Sequence, residues 1–120
     1  DEAGLAGYAD PFNRGCYPWG RVDEALRAHF AALGVIRRRC VCLREGVFAC
    51  LRAEGGTFVF TRTGGGDALL CACNAADAPI QFSLPPEWTN AFALLGAAPQ
   101  GGTLALGGME CTILYRKADV

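Results

Sequence analysis

The sequence lacks an excess of charge of either sign and lacks long apolar runs. Its 120 residues carry a formal net charge of −1, which gives no electrostatic reason to expect DNA, RNA or an anionic membrane as a partner. The longest apolar runs, such as Ala68–Cys73, stop well short of the roughly 20 residues that span a bilayer. A hydrophobic content of 52% argues against disorder. We therefore expect a folded chain with neither nucleic acid nor a membrane as its partner.

The sequence also lacks an initiator methionine, and it contains a single histidine. It opens on Asp1-Glu2, without a basic stretch leading into an apolar core, so we expect no secretory signal and a processed or truncated product. A Ser-His-Asp or Cys-His catalytic group would have to use His29, and no residue near His29 in the sequence supports one. We interpret His29 as a packing or surface residue.

No Cys-x-x-Cys pair occurs among the seven cysteines. The close pairs, Cys40/Cys42 and Cys71/Cys73, are spaced so that a strand would hold their thiols about 6.5–7 Å apart, a poor fit to a disulfide or a zinc knuckle. We predict free, mostly buried thiols, no metal and no cofactor, and hence a reducing cytoplasm. The alternative is a metal or redox site, for which several strands would have to bring five cysteines together: Cys42, Cys50, Cys71, Cys73 and Cys111.

The pattern along the chain predicts two domains, residues 1–39 and 40–120. The first twenty residues are rich in Gly and Pro and read as an extended loop. An amphipathic helix follows, with Asp23 and Glu24 in its first turn and arginines in its last turn, as the helix dipole favours. Its apolar stripe at helical spacing consists of Val22, Leu26, Phe30, Leu33 and Ile36.

After Arg39 the chain breaks into short β-rich runs separated by Gly- and Pro-rich turns. Seven such runs at intervals of about 8–12 residues predict a mainly β fold, an antiparallel β-sandwich of Greek-key type. The predicted strands are Val47–Ala53, Thr57–Thr63, Ala68–Asn74, Ile80–Leu84, Asn90–Leu95, Thr103–Leu106 and Cys111–Arg116. Residues 40–44 are ambiguous between a strand and a further helical turn. We expect the strand phenylalanines, Phe58, Phe60, Phe82 and Phe92, in the core.

The loop carries the most specific residues of the chain. Residues 10–14 read Asp-Pro-Phe-Asn-Arg, preceded by Asp-Glu-Ala-Gly at residues 1–4 and followed by Cys-Tyr-Pro-Trp-Gly at residues 16–20. This loop, then a helix ending in arginines, then a small β-domain, resembles the C-terminal part of an α-amylase family glycoside hydrolase of the neopullulanase or cyclomaltodextrinase branch. The resemblance implies that residues 1–39 are the end of the catalytic barrel and residues 40–120 the C-terminal β-sandwich.

The resemblance also implies a sugar contact. In such enzymes Asp10 and Arg14 would bind a glucose unit of an α-glucan or maltooligosaccharide, and Arg14 can hold Asp10 through a charge-assisted pair. The alternative is a loop-stiffening ion pair with no ligand. Tyr17 and Trp19 are candidates for stacking on sugar rings, and the alternative for them is anchoring of the loop to the protein body.

The family's catalytic carboxylates would precede Asp1. Hydrolysis with retention needs two carboxyl groups about 5–5.5 Å apart, and Asp23 and Glu24, adjacent on a helix, do not converge. We therefore predict no catalytic residue here, and a structural and sugar-contacting role within a larger α-1,4-glucosidic hydrolase. The second hypothesis is a stand-alone binding or interaction module, for example a glycan-binding one. Because the helix stripe must pack against a surface, we also expect one of two arrangements. The stripe packs on the chain's own β-domain, or a homo-oligomer forms through the N-terminal loop and helix by exchange with a second copy.

Overall fold

The computed structural model describes residues 1–118 and divides into two compact units, Asp1–Arg39 and Cys40–Val120. The first unit contains a loop followed by helix α1, Glu24–Arg39. The second contains the short helix α2, Cys42–Glu45, the strands, and a 3-10 turn at Pro86–Trp88. Residues 119 and 120, at the end of the predicted second domain, lie outside the described residues.

The strands of the second unit are antiparallel and form two sheets. They are β1 (Val47–Glu54), β2 (Thr57–Gly64), β3 (Asp67–Asn74), β4 (Ile80–Ser83), β5 (Phe92–Leu95), β6 (Thr103–Leu106) and β7 (Cys111–Lys117). One sheet has the order β1-β2-β3-β7-β5, and the other pairs β4 with β6. The predicted class, a mainly β antiparallel sandwich preceded by a loop and an amphipathic helix, is confirmed. Of the ambiguous residues 40–44, the last three are helical, since α2 begins at Cys42.

The core of the second unit lies between the two sheets. Leu70 of β3 and Leu114 of β7 pack there with Leu104 and Leu106 of β6, and Trp88 from the 3-10 turn packs against them. These leucines have at most 1% of their surface exposed, and burying each one contributes about 1.5–3 kcal/mol. The core therefore combines residues from both sheets, as a sandwich requires.

Two of the four phenylalanines expected in the core are exposed. Val59 of β2 points into the core, so its neighbours Phe58 and Phe60 point to the opposite face of the sheet, which we call the outer face. Phe58 is 41% exposed, and Phe92, on the edge strand β5, is 72% exposed. The expectation was wrong for Phe58 and Phe60, which lie on the outer face, and for Phe92. Phe82 packs against the core, as expected.

Helix α1 begins one residue after Asp23, whose carboxylate accepts the Leu26 N–H at 2.9 Å and caps the first turn. Glu24 pairs with Arg27 along the helix surface. None of the helix residues is buried, and Phe30 on the apolar stripe is exposed. Within residues 1–118, no helix is long and apolar enough to cross a membrane.

Asp67, the first residue of β3, joins three segments of the second unit. Its carboxylate accepts the Tyr115 hydroxyl at 2.8 Å, the Val41 N–H at 3.2 Å and the Lys117 ammonium at 3.3 Å. These donors, led by the Tyr115 hydroxyl, hold the pKa of Asp67 below its usual value against the opposing effect of burial. The carboxylate thus ties the segment before α2 to the central strands.

The lowered pKa of Asp67 predicts a dependence of stability on pH. Because the folded pKa lies below the unfolded value of about 3.9, the stabilisation is complete above that pH and is lost as the pH falls through the folded pKa. At pH 7, Asp67→Asn should lower the free energy of unfolding by about 1–3 kcal/mol. Urea unfolding between pH 2.5 and 7 measures both effects.

The control for this measurement is Asp77→Asn, which changes an exposed carboxylate of the same unit. The wild type and the control should lose stability together as the pH falls below 4, while Asp67→Asn should lose less. Equal acid sensitivity of all three proteins would contradict a stabilising role for the Asp67 carboxylate.

Candidate functional site

The candidate site is the loop of the first unit, and its start is ordered by backbone hydrogen bonds. The Asp1 carboxylate accepts the N–H groups of Ala3 and Leu5, both at 3.0 Å. The buried Ala3 accepts the Asp23 N–H at 3.1 Å through its carbonyl. Since Asp23 also caps α1, the beginning of the loop is fixed directly to the beginning of the helix.

The tip of the loop is a pair of tight turns. The Phe12 N–H donates to the Ala9 carbonyl at 2.9 Å, and the Arg14 N–H donates to the Pro11 carbonyl at 3.1 Å. The segment that leads into the tip passes close to it at Gly7. A Cβ added to Gly7 would lie 2.8 Å from the Asn13 Cα. Only glycine allows this approach, which holds the two arms of the loop together.

The turns bring Asp10 and Arg14 into a bidentate ion pair. Arg14 Nε donates to Asp10 Oδ1 at 2.7 Å, and Nη2 donates to Oδ2 at 3.2 Å. Both side chains remain largely exposed, 75% for Arg14 and 59% for Asp10. An exposed pair contributes at most about 1 kcal/mol to stability. The pair therefore orients two charged groups at the surface more than it stabilises the fold.

The same loop carries exposed aromatic side chains. Tyr17 and Trp19 lie with their ring centroids 4.6 Å apart at an angle of 56°, and Trp19 is 83% exposed. Tyr8 and Phe12 are also exposed, and sequence reasoning did not single them out as site residues. Their position in a Gly- and Pro-rich loop could have identified them. Because such a loop has no apolar periodicity, its aromatic rings are not expected to pack in a core.

Four of the five acidic side chains of the first unit make local contacts, and the fifth, Glu2, is exposed. Asp1 closes the first turn, Asp10 pairs with Arg14, Asp23 caps α1 and Glu24 pairs with Arg27. Each of these contacts is with a neighbour no more than four residues away. Such local pairing differs from the facing acid and nucleophile that glycosidic cleavage needs.

The seven cysteines are free thiols, but only Cys40 and Cys42 are buried. The expectation of mostly buried thiols was therefore wrong. The charge of the Cys42 thiolate would raise the pKa of Cys71. Cys73 lies opposite Cys111 where β3 pairs with β7. Burial raises the pKa of Cys71 to about 11, so this thiol stays protonated at neutral pH. Among the described residues, no group of three or more His, Cys, Asp or Glu side chains is arranged to hold a metal ion.

Comparison with known proteins finds relatives for about half of the chain. The amylopullulanase of Thermoanaerobacter thermohydrosulfuricus is 40% identical over 62 residues, which are 52% of this chain and 4% of that enzyme. The amylopullulanase of Thermoanaerobacterium saccharolyticum is 36% identical over 62 residues, 5% of its length. The chain thus matches only a small part of these enzymes. No protein-family model matches it.

Solved structures match nearly the whole chain. A debranching enzyme from Nostoc punctiforme superposes with a TM-score of 0.79 and 28% identity over 95% of this chain and 24% of that enzyme. An Anoxybacillus α-amylase superposes with a TM-score of 0.82 over 97% of this chain and 27% of its own, and at 24% identity it supports the fold alone. The predicted resemblance to the α-amylase family is confirmed.

The family resemblance leaves the roles of individual residues as predictions. The structure brings Asp10 and Arg14 together as expected and places Tyr17 against Trp19. Binding of sugar by these four side chains stays a prediction. The alternative of a loop-stiffening pair is also open, because a bidentate contact in the free chain is compatible with both.

The close approach at Gly7 predicts that a single methyl group will disturb the site. Gly7→Ala should push the Asn13 backbone away and break the bidentate geometry of Arg14, because the added Cβ would sit 2.8 Å from Asn13 Cα. The cost should be about 1–3 kcal/mol of overpacking. The Arg14 Nε–H resonance in a ¹H–¹⁵N spectrum, and the midpoint of thermal unfolding, measure the two effects.

The matched control is Gly20→Ala. Gly20 has a positive φ of +74° but nothing within 4 Å of an added Cβ, so it imposes backbone strain without a clash. It should lower stability and leave the Arg14 resonance in place. An unshifted Arg14 resonance in Gly7→Ala would show that the loop arms do not hold the pair.

Proposed function

We propose that this chain is a non-catalytic C-terminal part of a larger enzyme that hydrolyses α-1,4-linked glucans or maltooligosaccharides. Residues 1–39 would complete the catalytic barrel, and the β-sandwich would follow it. The similarity to amylopullulanases and to a debranching enzyme supports this assignment, since the chain matches only a small share of each. The local engagement of its N-terminal carboxylates supports the absence of a catalytic role.

The observation that carries the proposed sugar contact is the exposed bidentate pair of Asp10 and Arg14. The pairing fixes the guanidinium plane and leaves Nη1 and the outer lone pairs of the carboxylate available to hydroxyl groups. A sugar ring presents hydroxyls at its rim and an apolar face. A rigid polar pair, in a loop that also exposes the Trp19 and Phe12 rings, matches both features.

The test is a chimera in which this chain replaces the matching part of the Nostoc punctiforme debranching enzyme. Arg14→Lys keeps the charge but cannot form the two parallel hydrogen bonds. In the chimera it should raise KM for a maltooligosaccharide by about tenfold, the cost of about 1.4 kcal/mol expected for a lost charge-assisted contact. Steady-state kinetics on the wild-type and variant chimeras provide the measurement.

The control for the chimera is Arg21→Lys, an exposed arginine of the same unit outside the ion pair. It should leave KM unchanged. Circular dichroism and thermal unfolding confirm that each chimera is folded before its kinetics are read. If Arg14→Lys and Arg21→Lys give the same KM, the pair has no part in sugar binding.

A second candidate function is glycan binding by the sandwich itself, and the exposed rings of the outer face favour it. Phe60 lies 5.4 Å from Phe48 and 5.2 Å from Phe58 between ring centroids, and Phe48 and Phe58 are exposed. Three neighbouring rings on adjacent strands offer apolar faces on which pyranose rings can stack. This surface was unexpected, because the sequence assigned Phe58 to the core.

Titration calorimetry with maltoheptaose tests this second candidate on the whole chain. If the rings bind the sugar, Phe58→Ala should weaken binding by about tenfold, since an aromatic contact is worth about 0.5–1.5 kcal/mol. Phe92→Ala is the control, because Phe92 is exposed on β5 outside the ring group. Absence of saturable heat from the wild type would eliminate the glycan-binding role.

Two further features belong to the proposal. The seven cysteines are free, which supports a reducing compartment such as the cytoplasm. The apolar stripe of α1 supports self-association through the N-terminal loop and helix when the chain is alone, because Phe30 is exposed and no residue of the helix is buried. In the larger enzyme the same stripe would face the rest of the barrel.

A further inference from the structure

Cys73 of β3 and Cys111 of β7 face each other directly across two paired strands. The next pair along, Asn74 and Glu110, is hydrogen-bonded, because the Asn74 N–H donates to the Glu110 carbonyl at 2.8 Å. Hydrogen-bonded and non-hydrogen-bonded pairs alternate in antiparallel sheets, so Cys73 and Cys111 form a non-hydrogen-bonded pair. The Cα atoms of such a pair are about 4.5 Å apart, within the range that a disulfide spans.

The two thiols are already in contact and are reachable from solvent. A side-chain hydrogen bond with Cys111 contributes to the raised pKa of Cys73. Cys111 is exposed and Cys73 is half-buried. Both lie on the outer face, because the adjacent register pair is Ala72 with Thr112 and Ala72 points into the core. Cys71 is less well placed, since it lies opposite Ile113.

We propose that Cys73 and Cys111 form a reversible cross-strand disulfide on exposure to a low-molecular-weight disulfide such as oxidised glutathione. The Cys111 thiolate attacks the glutathione disulfide, forms a mixed disulfide and releases one glutathione thiolate. The Cys73 thiolate then attacks the Cys111 sulfur and releases the second glutathione. The chain loses two hydrogens, and one oxidised glutathione becomes two reduced molecules.

The environments of the two thiols set this order. Cys111 is open to the oxidant, whereas burial and the hydrogen bond to Cys111 keep the pKa of Cys73 well above its usual value. Since the thiolate is the attacking form, burial of Cys73 slows the second step at neutral pH, and its rate should rise as the pH is raised from 7 to 9. The mixed disulfide at Cys111 is therefore a transient that can be trapped by acid.

The test incubates the whole wild-type chain with oxidised glutathione, quenches it with acid and maps the peptides by mass spectrometry without reduction. We expect a linked pair of peptides containing Cys73 and Cys111, with the mass of two hydrogens lost, and reversal by dithiothreitol. Urea unfolding of the oxidised chain should move to a higher midpoint, because the bond closes a long loop in the unfolded chain.

Cys50 supplies the internal control, because it is exposed on β1 and faces Phe60 instead of a thiol. It should retain bound glutathione while Cys111 loses it. Cys73→Ser should convert Cys111 to the same stable adduct, and Cys50→Ser should leave the linked pair intact. A stable glutathione adduct on Cys111 in the wild type, or a link from Cys111 to any other cysteine, would overturn the proposal.

Discussion

Burial of both faces of β3 is the constraint on which the second unit depends. Leu70 and Ala72 fill the space between the sheets, and Leu69, which points the other way, is also buried. Because side chains alternate along a strand, this fixes Cys71 and Cys73 on the outer face. The same strand starts at Asp67, whose carboxylate gathers Tyr115, Val41 and Lys117. Strand β3 thus contributes residues to the core, to the Cys73–Cys111 pair and to the hydrogen bonds of Asp67.

The first unit is ordered mainly by short-range polar contacts. Asp1, Asp10 and Asp23 each bond to neighbours in the sequence. These contacts order a loop that exposes an ion pair and several aromatic rings. A carboxylate already committed to an arginine or to backbone N–H groups serves as a positioning group. This is the physical basis of the proposal that the chain has a structural and sugar-contacting role and takes no part in the hydrolytic step.

Much of this was predictable from local patterns. The strands begin and end within one or two residues of the turn signals, and the four-residue spacing of Asp10 and Arg14 indicated their pairing. The orientation of Phe58 was not predictable, since Phe58 and Val59 are both apolar and only the pairing with β3 decides which points inward. The contact of Asp67 with Tyr115 joins residues 48 apart, so it depends on a strand pairing that no local pattern specifies.

The proposed absence of a hydrolytic role requires that the described residues, 1–118, hold no pair of carboxyl groups able to cleave a glycosidic bond. An assay of the purified chain with maltotriose, cyclodextrin and pullulan tests it most directly. The account predicts reducing-end release no faster than in a blank without protein. Turnover that rises in proportion to the amount of chain, and disappears when Asp10 or Glu24 is changed to Asn or Gln, would contradict it.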